Sequence, residues 1–553
     1  MNLVIGHTLA TGLGLALVCA SQPAAQEAYR THDDLVELSG AWTQSGAARV
    51  LSLGDSYGGR RLLAVEIGAP GEVPVVDRPV VLLVGAPDGR SAAGAQAVLH
   101  VVDQLTRSAD QLPEHVTFLA VPFANPDGLV ASAKGLGFGA NDRPVDDDGD
   151  GRLDEDGPED LSGEGLVLEM LLEDPEGHWV KSTDGRSLRR AESGEGPRFL
   201  RLPEGSDADQ DGRYNEDGPG GVVIDRNFPV GWTGSWSVRG AGELPLSEPA
   251  SRALARLVAE RRVAVALVFQ GCHGTLARPG AIGRLPDVPE DVSLWREFAR
   301  SFQAATGRKS LDEGRLERLD AVDHDRTGGA FVDWLYFAER VPTVEVAPWG
   351  LCVAEGIPSE VRVRDGSLIT SLEPLDPLAA EEARWCEWLD ATRGGIGFLE
   401  WEPIQLDDGR IGYVGGWEPL TRHDPPESEL SKALAGTPEF VVELARSLPR
   451  YELDVRTVRH EGDVALIEVS VRNLGRLPSH AGPRLGAEPL TLTIDAGRGA
   501  EFLAGSRHTE VGELAGAALS KPFRWLLRAS EGTQVTLELT GPGIRPLVEE
   551  FRP

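Results

Sequence analysis

The stretch Val80–Gly94 (VVLLVGAPDGRSAAG), with the AQAVLHVVDQL that follows it, constrains this chain more than any other. An apolar run rich in Val and Leu reads as a strand buried in a parallel sheet. A glycine-bearing loop follows, and apolar residues then recur at helical spacing from Ala92 to Leu105. Strand, loop and helix in that order predict an α/β domain. Ligands of open α/β sheets bind beyond the carboxyl ends of the strands, so chemistry is expected in the loop Gly85–Ser91.

At 553 residues the chain has room for two to four domains, and a hydrophobic fraction of 41% with 12 Trp supplies a sizeable core. Its formal net charge of −33 argues against nucleic acid or an anionic membrane surface as the main partner and favours cations. Leu9–Ala20 (LATGLGLALVCA), followed by SQPAA, reads as an export signal over residues 1–25, although no Lys or Arg precedes Arg30. The expected location is therefore periplasmic or extracellular. No later run has the length and apolarity of a membrane span. Beyond the signal, Cys272, Cys352 and Cys386 remain. A Cys272–Cys352 disulfide and three buried thiols are both open readings.

Five anchors recur along the chain in an informative order. Gly54–Ile67 (GDSYGGRRLLAVEI) reads as a turn entering a strand, and the loop after Val80–Gly85 is the second anchor. The third is Val116–Val121 followed by Pro122–Gly128 (PFANPDG), where Asn-Pro-Asp-Gly is strong turn chemistry. The fourth is Val222–Trp232 (VVIDRNFPVGW). The fifth is GGAFVDWLY followed by VPTVEVAP, ending at Glu345 and its flanking Val344 and Val346. Between the last two, Leu246–Glu260 reads as an amphipathic helix with Ser247 as N-cap, and Val263–Phe269 as a strand leading into QGCHGTLARPG.

These anchors resemble the zinc carboxypeptidase family, the relatives of carboxypeptidase A. The resemblance implies a three-layer α/β/α domain around a mixed, mostly parallel sheet. It also implies a site that hydrolyses peptides with zinc. The family's first zinc motif is G-x-H-x-x-E, and that spacing falls here on Asp88 and Ser91. The third zinc position, a His at the end of a core strand, falls on Gln270. One carboxylate and two weak neutral groups should not retain zinc. His273, three residues on, is either a substitute ligand or, as is commoner for a loop His, a hydrogen-bonding residue.

The family's N-R-N-F grips the substrate's C-terminal carboxylate, and here Arg226, Asn227 and Phe228 match while Asp225 replaces the first Asn. An anionic Asp225 would repel a carboxylate or pair with Arg226. The family's general base corresponds to Glu345, and its substrate-facing Tyr falls near His324 once one insertion is allowed.

Fifteen carboxylates lie between Asp142 and Glu176. Asp146, Asp148 and Asp150 precede a Gly in D-x-D-x-D-G, and Asp207, Asp209 and Asp211 repeat the pattern 61 residues later. DGRLDEDGP in one copy matches DGRYNEDGP in the other, with Asp156 and Asp217 placed to close each loop. Alternating carboxylates before a Gly form the first half of a calcium loop. A solvated acidic insertion over about 142–219 is the plainer alternative. Asp160, Ser162 and Glu164 make a weaker third copy.

From Tyr451 the pattern switches to period two (VALIEVSVRN, LTLTIDAG, TQVTLELTG), which predicts a β-sandwich over 450–553 beside a 26–449 carboxypeptidase-like domain. Three functions follow. The first is an exported pseudopeptidase that binds peptide C-termini or a related ligand. The second is an active metallocarboxypeptidase with a non-standard zinc site. The third is a calcium-stabilised structural or adhesion protein.

Overall fold

The computed structural model describes residues 29–552 apart from 137, 147–150, 152, 155–156, 208–213, 215–219, 281–287, 289–290, 309–327, 351–352, 354–376, 483–487, 498–499, 531 and 542. The chain starts with α1 (His32–Ser45), closed at its N-terminus by a Thr31–Asp34 capping box. Strands β1 (Arg49–Asp55), β2 (Arg61–Ile67), β3 (Val80–Gly85) and β4 (Thr117–Val121) follow, with α2 (Ala92–Arg107) between the last two. Helix α3 (Pro126–Ala133) then leads to four short strands, β5 (Glu169–Glu173), β6 (Trp179–Lys181), β7 (Leu188–Arg190) and β8 (Phe199–Pro203). Next come α4 (Pro249–Glu260), β9 (Val263–Phe269), β10 (Leu276–Ala277), α5 (Val292–Thr306) and β11 (Thr343–Val346).

The central sheet runs β1-β2-β4-β3-β9-β11-β10. Its middle pairs, β4/β3, β3/β9 and β9/β11, are parallel, and the flanking pairs are antiparallel. Alternation along β3 divides the interior. Val81 and Leu83 face a layer formed by α1, α2 and α5, while Val80, Leu82 and Val84 face α4, Phe228 and the helical turn at Phe331–Asp333. Both faces are covered, which is why the strand reads as a continuous apolar run. The expected α/β fold with a mixed sheet forms, but the sheet is only half parallel, three of its six strand pairs running that way instead of most of them.

Three local expectations need correction. Asn-Pro-Asp-Gly is not a free turn: Asn125 caps α3 by accepting from Gly128 N at 3.0 Å, and Pro126 occupies its first turn. Helix α4 begins at Pro249 with Glu248 at the N-cap, not Ser247, and Glu248 makes no side-chain capping bond. Its buried carboxylate instead accepts from Asn141 Nδ2 at 2.7 Å and Arg143 Nε at 2.9 Å. The acidic insertion is also more than a loop. Strands β5–β8 join β12 (Phe398–Gln405) and β13 (Ile411–Trp417) in a second sheet of order β12-β13-β5-β8-β6-β7, with β5 paired to β13.

The C-terminal region forms two four-stranded antiparallel sheets over a shared apolar core that includes Ile467, Leu492, Trp525 and Leu537, as the period-two pattern predicts. Among the described residues, no helix is long and apolar enough to cross a membrane.

Candidate functional site

At the carboxyl end of β3 the chain turns sharply. Ala86 takes a positive φ of 52° and Gly89 one of 65°. A Cβ on Gly89 would stand 2.4 Å from the Gly139 carbonyl, so only glycine fits there. The turn brings Asp88 back over the start of α2. Ser91 Oγ donates to Asp88 Oδ2 at 2.6 Å, and the backbone N–H groups of Arg90, Ser91 and Gly271 donate at 3.2 Å each. Three donors of its own loop and one from the segment after β9 thereby satisfy the carboxylate.

Strand β9 ends one residue before Gln270, which is 1% exposed. Its Nε2 donates to Asp225 Oδ2 at 2.7 Å and to Glu345 Oε2 at 2.9 Å. Two carboxylates flanking one amide require the nitrogen between them, because ionised carboxylates only accept. Gln270 Oε1 is left buried with no hydrogen-bond partner among the described residues. Glu345, on β11 opposite Val268, also meets His273 Nε2 at 3.0 Å. Asp225 Oδ1 accepts from Phe331 N at 2.8 Å, and Asp225 N donates to Pro87 O at 3.2 Å.

Thus Asp88, Ser91, Asp225, Gln270, His273 and Glu345, drawn from four separate chain segments, meet in one buried polar cluster. Asn227 is fully buried nearby, but its side chain holds the scaffold together. Its Nδ2 donates to Ala241 O, Leu244 O and Ser247 Oγ, and its Oδ1 accepts from Ser251 Oγ at 2.6 Å. Arg226 sits at the rim, its Nη1 on Arg239 O at 2.7 Å and its guanidinium 5.6 Å from the Phe138 ring centroid. His324 lies outside the described residues, as do Asp148, Asp150, Asp156, Asp209, Asp211 and Asp217. Cys352 is also outside them, so the Cys272–Cys352 pairing has no geometry to set beside it. Cys386 is a buried thiol, and burial pushes it up to about 12.

Two connections had no local signal in the sequence. Asp127 of the Asn-Pro-Asp-Gly segment receives Ser56 Oγ at 2.7 Å, Gly58 N at 2.9 Å and Arg60 Nη1 at 2.6 Å, so the first and third anchors lock together. Asp424, from a distant Pro-rich connection, accepts from Ala92 N at 3.2 Å and Ala93 N at 2.6 Å at the start of α2. Burial and the nearby Asp88 carboxylate push Asp424 up to about 8, against the backbone donors that favour its charged form. Of the acidic motif, Asp146 and Asp207 are described, and Asp146 Oδ2 accepts from Gly151 N at 2.9 Å. Asp160, Glu164 and Glu204 bring ligand atoms to within 4.8 Å of one another.

Fold and site define a layered α/β protein whose polar centre lies beyond the carboxyl ends of its parallel strands. Residues 41–361 match the family model described as zinc carboxypeptidase, and the chain belongs to that family. Residues 451–550 match a second model, a domain of unknown function. A comparison with curated proteins finds no match.

Similar solved structures include bovine thrombin-activatable fibrinolysis inhibitor in complex with tick carboxypeptidase inhibitor (11% identity, TM-score 0.40, 76% of this chain and 99% of that one). Carboxypeptidase A from Helicoverpa armigera is another (16% identity, TM-score 0.37, 66% and 72%). A third is the metallo-carboxypeptidase from Burkholderia cenocepacia (13% identity, TM-score 0.31, 57% and 59%). Membership rests on the family model.

The family's zinc does not fit the donors present. Asp88 is occupied by four hydrogen bonds from its own surroundings, and Ser91 donates its proton to that carboxylate. Gln270 turns its nitrogen to Asp225 and Glu345, and a single orphaned amide oxygen is a poor substitute for the imidazole, thiolate and carboxylate ligands that zinc selects.

Proposed function

We propose that this chain is an exported member of the zinc carboxypeptidase family that binds peptides ending in a free carboxylate without hydrolysing them through zinc. The observation that carries the reading is the Gln270 amide spanning Asp225 and Glu345. It ties the general-base position into a neutral–anionic hydrogen-bond network where peptide hydrolysis would need a Lewis acid and an activated water. Arg226 keeps its guanidinium at the rim of the cluster, and that planar fork suits a carboxylate. The acidic insertion is read as a calcium staple, supported by the two D-x-D-x-D-G copies and by the convergence of Asp160, Glu164 and Glu204.

The test is elemental analysis of the mature protein after passage over a chelator and dialysis against zinc, with a peptidase assay alongside. Substoichiometric zinc and no cleavage of C-terminally free peptides are expected. One tightly held zinc per chain with cleavage abolished by Glu345→Gln would replace this reading with an active metallopeptidase.

A further inference from the structure

A cleft of about 640 Å³ lies at the amino ends of the parallel strands, the opposite end of the sheet from the Gln270 cluster. On one side it is lined by Pro79 before β3, Val263 at the start of β9 and Pro342 before β11. On the other side stands the sandwich, with Tyr451 at the start of its first strand, the segment Pro478–Ala481, and the turn residues Gly541, Gly543 and Ile544. The α/β unit and the sandwich thus share one lining.

Charge gives the cleft its character. Arg261, Arg262 and Arg340 line it, in a chain whose formal net charge is −33. The Arg261 side chain is 8% exposed; it pairs with Glu66, and its Nε is buried with no hydrogen-bond partner among the described residues. Arg262 is exposed, and among the described residues only its Nη1 is engaged, on Asp77 O at 3.0 Å. Arg340 takes a positive φ of 57°, which a non-glycine residue rarely adopts. The surroundings add to the positive field. Arg78, next to Pro79, is buried and among the described residues donates only to the carbonyls of Ala69 and Val73. Burial, Arg450 and Arg78 together push His115 down.

Guanidiniums gathered around a concave site suit an oxyanion, whose oxygens match their planar forks. A bare inorganic anion would leave the rest of the lining unused. Glu339 and Glu488 also face the cleft, and an ionised carboxylate needs a donor opposite it. Its volume is that of a small-molecule site, with room for more than one oxyanion. We propose that this cleft binds a small polyhydroxylated anion, its phosphate or carboxylate on Arg262 and Arg340 and its hydroxyls on Glu339 and Ser479. Such a ligand touches both units of the chain at once, so its binding stabilises their docking.

Titration calorimetry on the full chain, with thermal melting alongside, tests this with glucose 6-phosphate, glucuronate, glucose and inorganic phosphate at matched ionic strength. One of the two sugar anions is expected to bind saturably, about tenfold tighter than glucose or inorganic phosphate, and to raise the melting temperature. Which of the two does so identifies the head group. Arg262→Gln and Arg340→Gln are each expected to weaken that binding about tenfold, and Glu339→Gln to shrink its advantage over inorganic phosphate. Because Arg262 is exposed, its replacement leaves the core intact whatever happens at Arg340. Failure of both sugar anions to bind overturns the site. Binding that survives both arginine substitutions lies elsewhere, and the assignment falls. Inorganic phosphate or glucose binding as tightly as the sugar anions overturns the ligand class.

Discussion

Gln270 shows how one side chain sets the chemistry of its surroundings. Its two amide hydrogens separate Asp225 and Glu345, which would otherwise face each other across a buried gap. Gln270→Leu keeps most of the volume and removes both donors, leaving two buried carboxylates each short of a partner. A loss of about 2 kcal/mol in urea-denaturation stability is expected; an unchanged midpoint would show that the carboxylates are satisfied without the amide. Asp424 makes a prediction in pH. Its proton is held to about pH 8 in the folded chain, whereas an unfolded Asp releases it near 4. Because the folded state binds that proton more tightly, the stabilisation is full below about pH 4 and is lost as pH rises through about 8. Asp424→Asn, which has no proton to lose, should flatten this part of the stability–pH curve. A slope between pH 4 and 8 that survives the substitution would assign it to another group.

At the level of elements, β3, its loop and α2 were legible because each carries a local signature: an apolar run, glycines, and helical spacing. Asn125-Pro-Asp-Gly was legible as a chain reversal but not as a helix start, since the same residues serve both and only the eight residues of α3 decide. The start of α4 was misplaced because Glu248 is drawn to Asn141 and Arg143, which lie more than a hundred residues earlier. Strands β5–β8 escaped notice for a related reason. β5 pairs with β13, more than two hundred residues downstream, and β6–β8 are only three to five residues long, so each has little identity without its neighbours. The acidic turns flanking this sheet give the element-scale prediction. If they hold calcium, a chelator should lower the melting temperature by several degrees, reversed by calcium and not by magnesium. A melting curve indifferent to chelator would leave the insertion as a solvated acidic surface.

Across the whole molecule, the C-terminal sandwich is docked on the α/β unit. Leu477 and Ala481 join the same buried cluster as α5 and the helix Thr437–Ser447. Arg476 pairs with the buried Glu297 of α5 and with Glu443, both at 2.5 Å, and Gly482 N donates to Asp291 at 2.6 Å beside the Tyr336 hydroxyl. Truncation after residue 449 would expose that apolar surface and remove a partner of Glu297. The truncated chain is expected to melt several degrees lower and to aggregate on heating. Equal melting temperatures for the two forms would mean that the sandwich contributes nothing to the stability of the core.

By itself the sequence determined what depends on short range: the buried parallel strands, the α/β class, the period-two C-terminal region, and the candidate positions at Asp88, Ser91, Asp225, Arg226, Gln270 and Glu345. Periodicity records the strands and the class directly, whereas the candidate positions came from the resemblance of the motifs to those of the zinc carboxypeptidase family. Only the tertiary structure decided what these residues do to one another. That Asp88 takes a donor from Gly271, that Gln270 bridges two carboxylates, that Asn227 serves the scaffold while Arg226 stays at the rim, and that Asp424 arrives at the start of α2 all depend on segments far apart in the chain. Hydrogen bonds between such segments are fixed by packing, and no local pattern encodes which donor will reach which acceptor.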